Sequence, residues 1–581
     1  MTIEKPLAPC ELPSESEAGG QYGSDVVAQT LRALEIPYVA LVPGSSLRGL
    51  HDSIVNRLGN VAPQLIVCLH EEASVAIAQG YAKITGRAMA VGLHANVGLM
   101  HAVMSVYNAW CDRMPILLLG GTGPTDAAER RPWIDWIHTT RDQAFMIRGS
   151  VKWDDTPSSP AAAREGLARA KWIAETCPMG PVYVNLDVEL QEDATAELPP
   201  LDLDRLMPKV SAGADLEAIK KAAKMLREAK FPFILMGRGG RNPDVWNSRV
   251  ELAESLGAKV ATNLKLGAVF PTDHPLHSAP PATFLRPEAN AALREADVIL
   301  ALDWLDLAGT FARAFNGEAP DAKVISVSKD HTIHNGVNMD HQAQPVVDLF
   351  LSADPDQVVG PLAKEIGKSD RTYTQIDWQE PDPADCFRKG QRTINGLAAE
   401  LIRAVGSRAV TLTNLPLSWN GGFWPFRGPL DYVGGDGASG LGAGPGIAVG
   451  QALALKGSGR LPVSICGDGD FLMGHTALWT AVHYKLPLLV IVANNRCYFN
   501  DVGHQETVAK NRGRNPDNKW IGQMLTDPDI DIAAMGRSLG TSGWGPVRTG
   551  DDLNSILRDA IARVDQGGVA VVDVQIASGY A

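Results

Sequence analysis

No apolar stretch of the chain approaches 18 residues, so no membrane-spanning helix is expected. There is no basic excess either: 53 Lys and Arg stand against 66 Asp and Glu, a formal net charge of -13. Nucleic-acid binders carry the opposite sign, so no such partner is expected. CxxC pairs are absent, and the seven cysteines (Cys10, Cys68, Cys111, Cys177, Cys386, Cys466 and Cys497) are scattered and odd in number. That excludes a disulfide framework or a zinc-finger type of site and points to a reduced, cytoplasmic protein. The first 20 residues hold Glu4, Glu11, Glu15 and Glu17 without an apolar core. They resemble neither a secretory signal nor a basic transit peptide, and residues 1–21 are expected to form a loosely ordered, flexible arm.

What is present is a soluble composition, 45% hydrophobic and 20% charged, over 581 residues. That is too long for one core. Apolar runs alternate with helical patterns in three blocks, 22–190, 213–360 and 390–577, separated by the polar stretches Gln191 to Pro208 and Gly367 to Asp385. Strand candidates are Tyr38 to Val42, Leu65 to Leu69, Ala88 to Leu93, Ile116 to Leu119 and Val182 to Leu186, then Phe231 to Met236, Val298 to Leu302 and Lys323 to Val327. Such alternation predicts an α/β protein of three doubly wound parallel sheets.

In the third block, Leu461 to Cys466 reads as a buried strand ending in Gly467-Asp468-Gly469, and Leu488 to Val492 as a second strand ending in Asn494-Asn495. Between them Leu478, Val482 and Leu486 recur at helical spacing, and Pro487 stops the helix. One right-handed βαβ unit puts both strand ends on the same sheet edge. Asp468 and Asn495 then converge as hard oxygen ligands, suited to Mg²⁺ and the phosphate oxygens that complete its shell. Gly467 and Gly469 are expected to allow a tight turn and a close phosphate approach.

In the first block, Ser45, Glu71 and His94 follow three strand candidates. If those strands are neighbours, a hydroxyl, a carboxylate and an imidazole line one crevice, with His94 as an acid/base group. Glu72 is explained by the positive end of the following helix; Glu71 only in part. In the second block, Gly237-Arg238-Gly239-Gly240 lacks the full GxGxxG spacing, so a plain strand-to-helix turn is preferred over a nucleotide phosphate turn. His274 and His277 read as loop histidines.

With these motifs, together with Gly80-Tyr81-Ala82 and Ser439-Gly440-Leu441-Gly442, residues 22 to 577 resemble the thiamine diphosphate (ThDP) dependent 2-oxo-acid decarboxylase and acetohydroxyacid synthase family. The resemblance implies a pyrimidine-binding domain over 22–190, a middle Rossmann-like domain over 213–360 and a diphosphate-binding domain over 390–577. It implies Mg²⁺ on Asp468, Asn495 and the Cys497 carbonyl, and a cofactor cradle including Gly467, Gly469 and Leu441, which bends the cofactor. Glu71 would bond the pyrimidine ring. Active sites would lie at the interface of a homodimer or homotetramer, with Glu71 of one subunit facing Asp468 of the other.

Pro43-Gly44-Ser45, Leu93-His94 and Ala477 to Ala481 resemble the benzoylformate decarboxylase branch. There Ser45 would bind the substrate carboxylate and His94 relay protons. Asn96-Val97 departs from that pattern. The synthase branch has Ser-Gly-Pro-Gly where this chain has His94 to Gly98. The expected activity is non-oxidative decarboxylation of a small 2-oxo acid. The alternatives are an acetolactate synthase-like carboligase, a 2-hydroxyacyl-CoA lyase or oxalyl-CoA decarboxylase-like enzyme acting on an acyl substrate, and a non-catalytic ThDP-fold scaffold. FAD or ADP in the middle domain is not the preferred expectation. The stretch 498–520, with His504, Glu506, Lys510, Arg512 and Arg514, reads either as a cover over the substrate or as a solvated polar loop.

Overall fold

The computed structural model describes residues 5–14, 19–333, 343–377 and 379–580. Three sheets, parallel throughout, organise the described chain. The first has β1 (Tyr38–Leu41), β2 (Gln64–Val67), β3 (Met89–Leu93), β4 (Ile116–Thr122), β5 (Asp154–Asp155) and β6 (Val182–Asp187), in the order β2-β1-β3-β4-β6-β5. The second has β7 (Pro232–Met236), β8 (Lys259–Ala261), β9 (Val298–Leu302), β10 (Lys323–Val327) and β11 (Leu349–Leu351), in the order β11-β10-β9-β7-β8. A short antiparallel pair, β12 (Phe387–Arg388) and β13 (Gln391–Arg392), precedes the third sheet. That sheet has β14 (Val410–Asn414), β15 (Leu461–Gly467), β16 (Leu488–Asn494), β17 (Ser542–Val547) and β18 (Val569–Gln575), in the order β14-β15-β16-β18-β17.

The strands read as continuous apolar runs because both faces are covered. Successive residues of β1 alternate between two cores: Tyr38 and Ala40 join one, Val39 and Leu41 the other. The core under Tyr38 and Ala40 does not stop at the first sheet. It continues through Val75, Ile77 and Ala78 to Ala448, Val449 and Ala452, and on to Val490 and Val571 of the third.

The joint between these sheets is a pair of helices, α1 (Glu71–Thr85) and α2 (Ala95–Asp112) from the first block, with α3 (Ala443–Leu455) from the third. Small residues let α1 and α3 meet backbone to backbone. A Cβ on Gly80 would lie 2.0 Å from the Ile447 carbonyl oxygen, and one on Gly450 would lie 1.9 Å from that of Ile77. Beside them, fully buried Lys83 donates to Asp112 at 2.5 Å and to the Gly435 carbonyl at 2.8 Å.

Three local differences from the sequence-based expectations follow from tertiary partners. The helix of the βαβ unit begins directly at the metal motif and is broken in two, α4 (Asp468–Gly474) and α5 (Ala477–His483). The stretch 498–520 is no loop: α6 (Phe499–Asn511) runs into a 3-10 turn at Pro516–Trp520, anchored by buried Val502 and by Phe499 against Trp520 and Tyr580. Within the expected loose arm, residues 1–4 and 15–18 lie outside the described residues, but 5–14 are seated. Leu7 N–H donates to Gln64, and the Glu11 carboxylate accepts from Tyr484 at 2.9 Å and pairs with His483 at 3.1 Å. Among the described residues no helix is long and apolar enough to cross a membrane.

Candidate active site

β15 and β16 are neighbours with Gly467 opposite Ala493, so their ends deliver Asp468 and Asn495 to one edge. One Asp468 oxygen accepts the Gly469 N–H at 2.9 Å, and the amides of Arg496 and Cys497 also face the carboxylate. The other oxygen, Oδ2, is buried without a hydrogen-bond partner among the described residues. Burial pushes Asp468 up to about 6 against those stabilising amides. A buried carboxylate with one oxygen left over is suited to a cation. The Asn495 side-chain oxygen accepts the Cys497 N–H at 3.0 Å, and the Cys497 carbonyl accepts the Phe499 N–H at 3.0 Å. The Cys497 carbonyl retains a lone pair for a metal, whereas Asn495 Oδ1 also accepts the Cys497 thiol at 3.3 Å, a weak bond that a cation would replace.

The two glycines have different surroundings. Gly467 has an ordinary extended backbone, φ -72°, with open space where a Cβ would be. Gly469 is helical, and its bare Cα makes room for the Tyr498 ring, 2.6 Å from where a Cβ would sit.

A residue the sequence reading passed over, Asp470, organises the neighbouring turn. Its Oδ1 accepts the Gly442 N–H at 2.8 Å and that of Gly444 at 3.4 Å, and its Oδ2 accepts from Asn414 at 3.1 Å. Leu441, next to Gly442, projects into the open at 49% exposure.

In the first block, β1, β2 and β3 are adjacent in the sheet, as the expected crevice requires. Glu71 is buried at the first position of α1. His70 caps that helix by accepting the Glu72 N–H at 3.2 Å. The Glu71 carboxylate instead turns to α2: its Oε2 is 3.0 Å from Nδ1 of His101, and its Oε1 would be 3.4 Å from a Cβ on Gly98. The His101 ring stacks on His70, centroids 5.2 Å apart. His101 lies two helical turns beyond His94, a spacing that could have revealed it.

His94 caps the same crevice, but its partner is Ser46 and not Ser45. The Ser46 N–H and hydroxyl both approach Nδ1, at 3.3 and 2.9 Å, while Ser46 Oγ accepts the Ala95 N–H at 3.1 Å. An N–H donated to Nδ1 fixes it as the acceptor, so neutral His94 carries its proton on Nε2. Burial, then the nearby His138, lowers the His94 pKa, with Glu71 opposing. The Ser45 side chain is half-buried.

Glu71 and Asp468 make no contact within one chain. The ground beside them is apolar and open: Val97, Met100 (56% exposed) and Met104 on α2, with Leu69, Leu441 and Met473. Exposed apolar patches of this kind mark interaction surfaces.

The glycine turn at 237–240 is already bonded within the protein. Gly237 and Arg238 donate to the Leu302 and Asp303 carbonyls, and Gly240 donates to Asp356 at 2.6 Å. Arg238 is held by Asp330 at 2.7 Å. This is what a plain strand-to-helix turn does, although a cavity of about 860 Å³ opens beside it. His274 and His277 are engaged by Glu254 and Thr262. In α6, Glu506 bridges Lys510 and Lys519 in solvent.

Three family descriptions match the chain in order. They are the N-terminal TPP-binding domain of thiamine pyrophosphate enzymes over 21–146, the central domain over 219–355 and the C-terminal TPP-binding domain over 416–574. The acetolactate synthase large subunit of Haemophilus influenzae is 25% identical over 93% of this chain and 92% of its own. The benzoylformate decarboxylase of Pseudomonas aeruginosa is 24% identical over 86% and 89%. Among solved structures, the ThDP-dependent 4-hydroxybenzoylformate decarboxylase of Rhodococcus jostii RHA1 superposes with TM-score 0.76 at 23% identity, covering 97% of this chain and all of that one.

Proposed function

Because the chain belongs to the thiamine pyrophosphate enzymes, we propose that it is a ThDP- and Mg²⁺-dependent lyase that decarboxylates a small 2-oxo acid without oxidation. The observation that carries this is His94, held with its proton on Nε2 at the mouth of the Glu71 crevice. Loss of CO₂ from a 2-oxo acid leaves a carbon that must take up one proton, and an imidazole is a group suited to handle protons at such a site.

The residues present fit both cofactors. Asp468, with its orphaned Oδ2, Asn495 and the Cys497 carbonyl would hold Mg²⁺, and Gly467, Gly469 and Leu441 would line the ThDP seat. Bound ThDP supplies a nucleophilic carbon and an electron sink. Glu71 would hold or release a proton at the pyrimidine ring, oriented by His101. Ser45 would bind the substrate carboxylate. Burial of this crevice limits water and strengthens each charge interaction.

The exposed apolar face of α2 supports a homodimer or homotetramer, with Glu71 of one subunit set opposite Asp468 of another. Seven free cysteines support a reducing, cytoplasmic setting.

A second reading, a carboligase, is supported by the acetolactate synthase relative. A panel of 2-oxo acids, supplied with ThDP and Mg²⁺ and read for CO₂ and organic product together, tests both. Free aldehyde is expected; acetolactate from pyruvate would shift the assignment to the carboligase. Binding of ThDP with no turnover of any 2-oxo acid would sink both.

A further inference from the structure

We propose that a small cavity at the start of the helix Ile394–Val405 binds a small 2-hydroxy monocarboxylate, and that its occupancy steadies the turn carrying Asn495 and Cys497. The cavity, about 240 Å³, lies between the β12–β13 hairpin, that helix and the segment after β18; Phe387, Arg388, Asn395, Asn420 and Tyr580 line it. None of the residues assigned to the active site belongs to this lining.

The helix start and Arg388 call for an anion. The first N–H groups of a helix have no intrahelical partner and form its positive end. The Thr393 hydroxyl accepts the Gly396 N–H at 3.3 Å, and the Thr393 carbonyl accepts that of Leu397 at 3.1 Å. The N–H groups of Ile394 and Asn395 are left without a bond among the described residues. Arg388 donates to the Ser578 and Tyr580 carbonyls at 3.4 and 3.1 Å, and its guanidinium has further N–H groups to give. A carboxylate suits both. Asp385, exposed in the same lining, opposes a second negative charge and so favours a monoanion over phosphate.

Asn395 calls for the hydroxyl. It is 9% exposed, and its Oδ1 is buried without a hydrogen-bond partner among the described residues. An acceptor left in that state is costly and is satisfied by a donor. A carboxylate supplies none, whereas a hydroxyl on the adjacent carbon does. Phe387 and Ile394 offer apolar surface to a short tail. Such an acid is the two-electron-reduced counterpart of the proposed 2-oxo substrate.

The segment after β18 joins this cavity to the metal turn. Ser578 Oγ donates to the Asn495 carbonyl at 3.4 Å and lies 3.5 Å from Cys497 Sγ, and Tyr580 donates to Asn500 at 2.5 Å. Arg388, bonded at once to the ligand and to both carbonyls, fixes that segment in place. This effect rests on the reading of Asp468 and Asn495 as Mg²⁺ ligands; binding of the acid does not.

The test is calorimetry on the holoenzyme with L-lactate, D-lactate, propionate and inorganic phosphate. Propionate has the lactate skeleton without the hydroxyl. One lactate enantiomer should bind at least about fivefold more tightly than propionate, and phosphate more weakly still. Asn395→Ala should erase the advantage of lactate over propionate. Arg388→Gln, at an exposed position, should weaken both about 5- to 20-fold. In Mg²⁺ titrations of metal-stripped protein with ThDP present, saturating lactate should tighten Mg²⁺ about two- to tenfold. Ser578→Ala should remove that gain while lactate still binds. Equal binding of lactate and propionate, or lactate binding unmoved in both Asn395→Ala and Arg388→Gln, overturns the site. Phosphate bound more tightly than lactate overturns the ligand, and a Mg²⁺ affinity indifferent to lactate overturns the coupling. A protein that takes up no Mg²⁺ would instead defeat the ThDP reading, while the lactate titration still reports on the cavity.

Discussion

Glu71 reaches across from the first residue of α1 to His101 in the second turn of α2, Oε2 to Nδ1 at 3.0 Å. The carboxylate proposed to activate the cofactor therefore has an orienting partner already in place, stacked in turn on His70. Glu71→Ala should slow C2 proton exchange of bound ThDP roughly 10²- to 10⁴-fold. His101→Ala removes only the orienting group and should cost about tenfold. Exchange rates measured by quenched NMR decide this, and near-normal exchange in Glu71→Ala would remove the carboxylate from the mechanism.

Asp468 offers one buried oxygen, Oδ2, without a hydrogen-bond partner among the described residues. Asp468→Ala should weaken Mg²⁺ binding at least about 100-fold, and ThDP should be lost with it. Chelation of the wild type should reproduce the loss, and added Mg²⁺ should reverse it. Isothermal titration with Mg²⁺ and ThDP is the measurement; undiminished affinity would mean that the cation sits elsewhere.

At Gly450 a Cβ would fall 1.9 Å from the Ile77 carbonyl oxygen. Gly450→Ala should destabilise the protein by about 1–3 kcal/mol or more, since backbone and not a flexible side chain must move. Gly457→Ala, a glycine with open space around it, is a useful contrast: its cost would come from its positive φ of 81° alone. Equal melting temperatures for the Gly450 variant and the wild type would show that the helices can separate.

Burial pushes Asp436 up to about 6, despite the Ser439 N–H at 2.7 Å. The folded pKa lies above the unfolded one, so the folded state binds more protons between about pH 4 and 6. The group's stabilising contribution is complete below that window and is lost as pH rises through it. Asp436→Asn should flatten this slope and be the more stable form at pH 7, by up to about 2 kcal/mol. Denaturant melts from pH 4 to 7 compare the two, and parallel curves would contradict the sign.

Met100 is 56% exposed in the middle of an apolar helix face. Met100→Lys should dissociate the proposed dimer and abolish ThDP-dependent turnover, because each site would lose half its groups. Light scattering at several concentrations reads the mass. A monomeric wild type would rule out sites shared between subunits.

The strands were legible in the sequence because the signals are local. Leu488 to Asn494 is one apolar run between Pro487 and a polar pair, and the structure makes it a strand buried on both faces. Asp468 and Asn495 were legible together because a single βαβ unit fixes both ends. Ser46, His101, His138 and Asp470 were not, since what they do depends on partners far along the chain. Ser46 meets a residue 48 positions away and Glu71 one that is 30 away. Choosing between Ser45 and Ser46 requires the direction of a side chain in a 3-10 turn, which neighbouring letters do not encode. The helix at 499–511 was hidden by its polarity; one buried residue, Val502, and the packing of Phe499 hold it.

The seam between α1 and α3 has no slack. With carbonyl oxygens standing where methyl groups would be, neither helix can slide or roll without a collision. The first and third sheets are thereby coupled through a contact that leaves no room for even one added methyl group at Gly80 or Gly450.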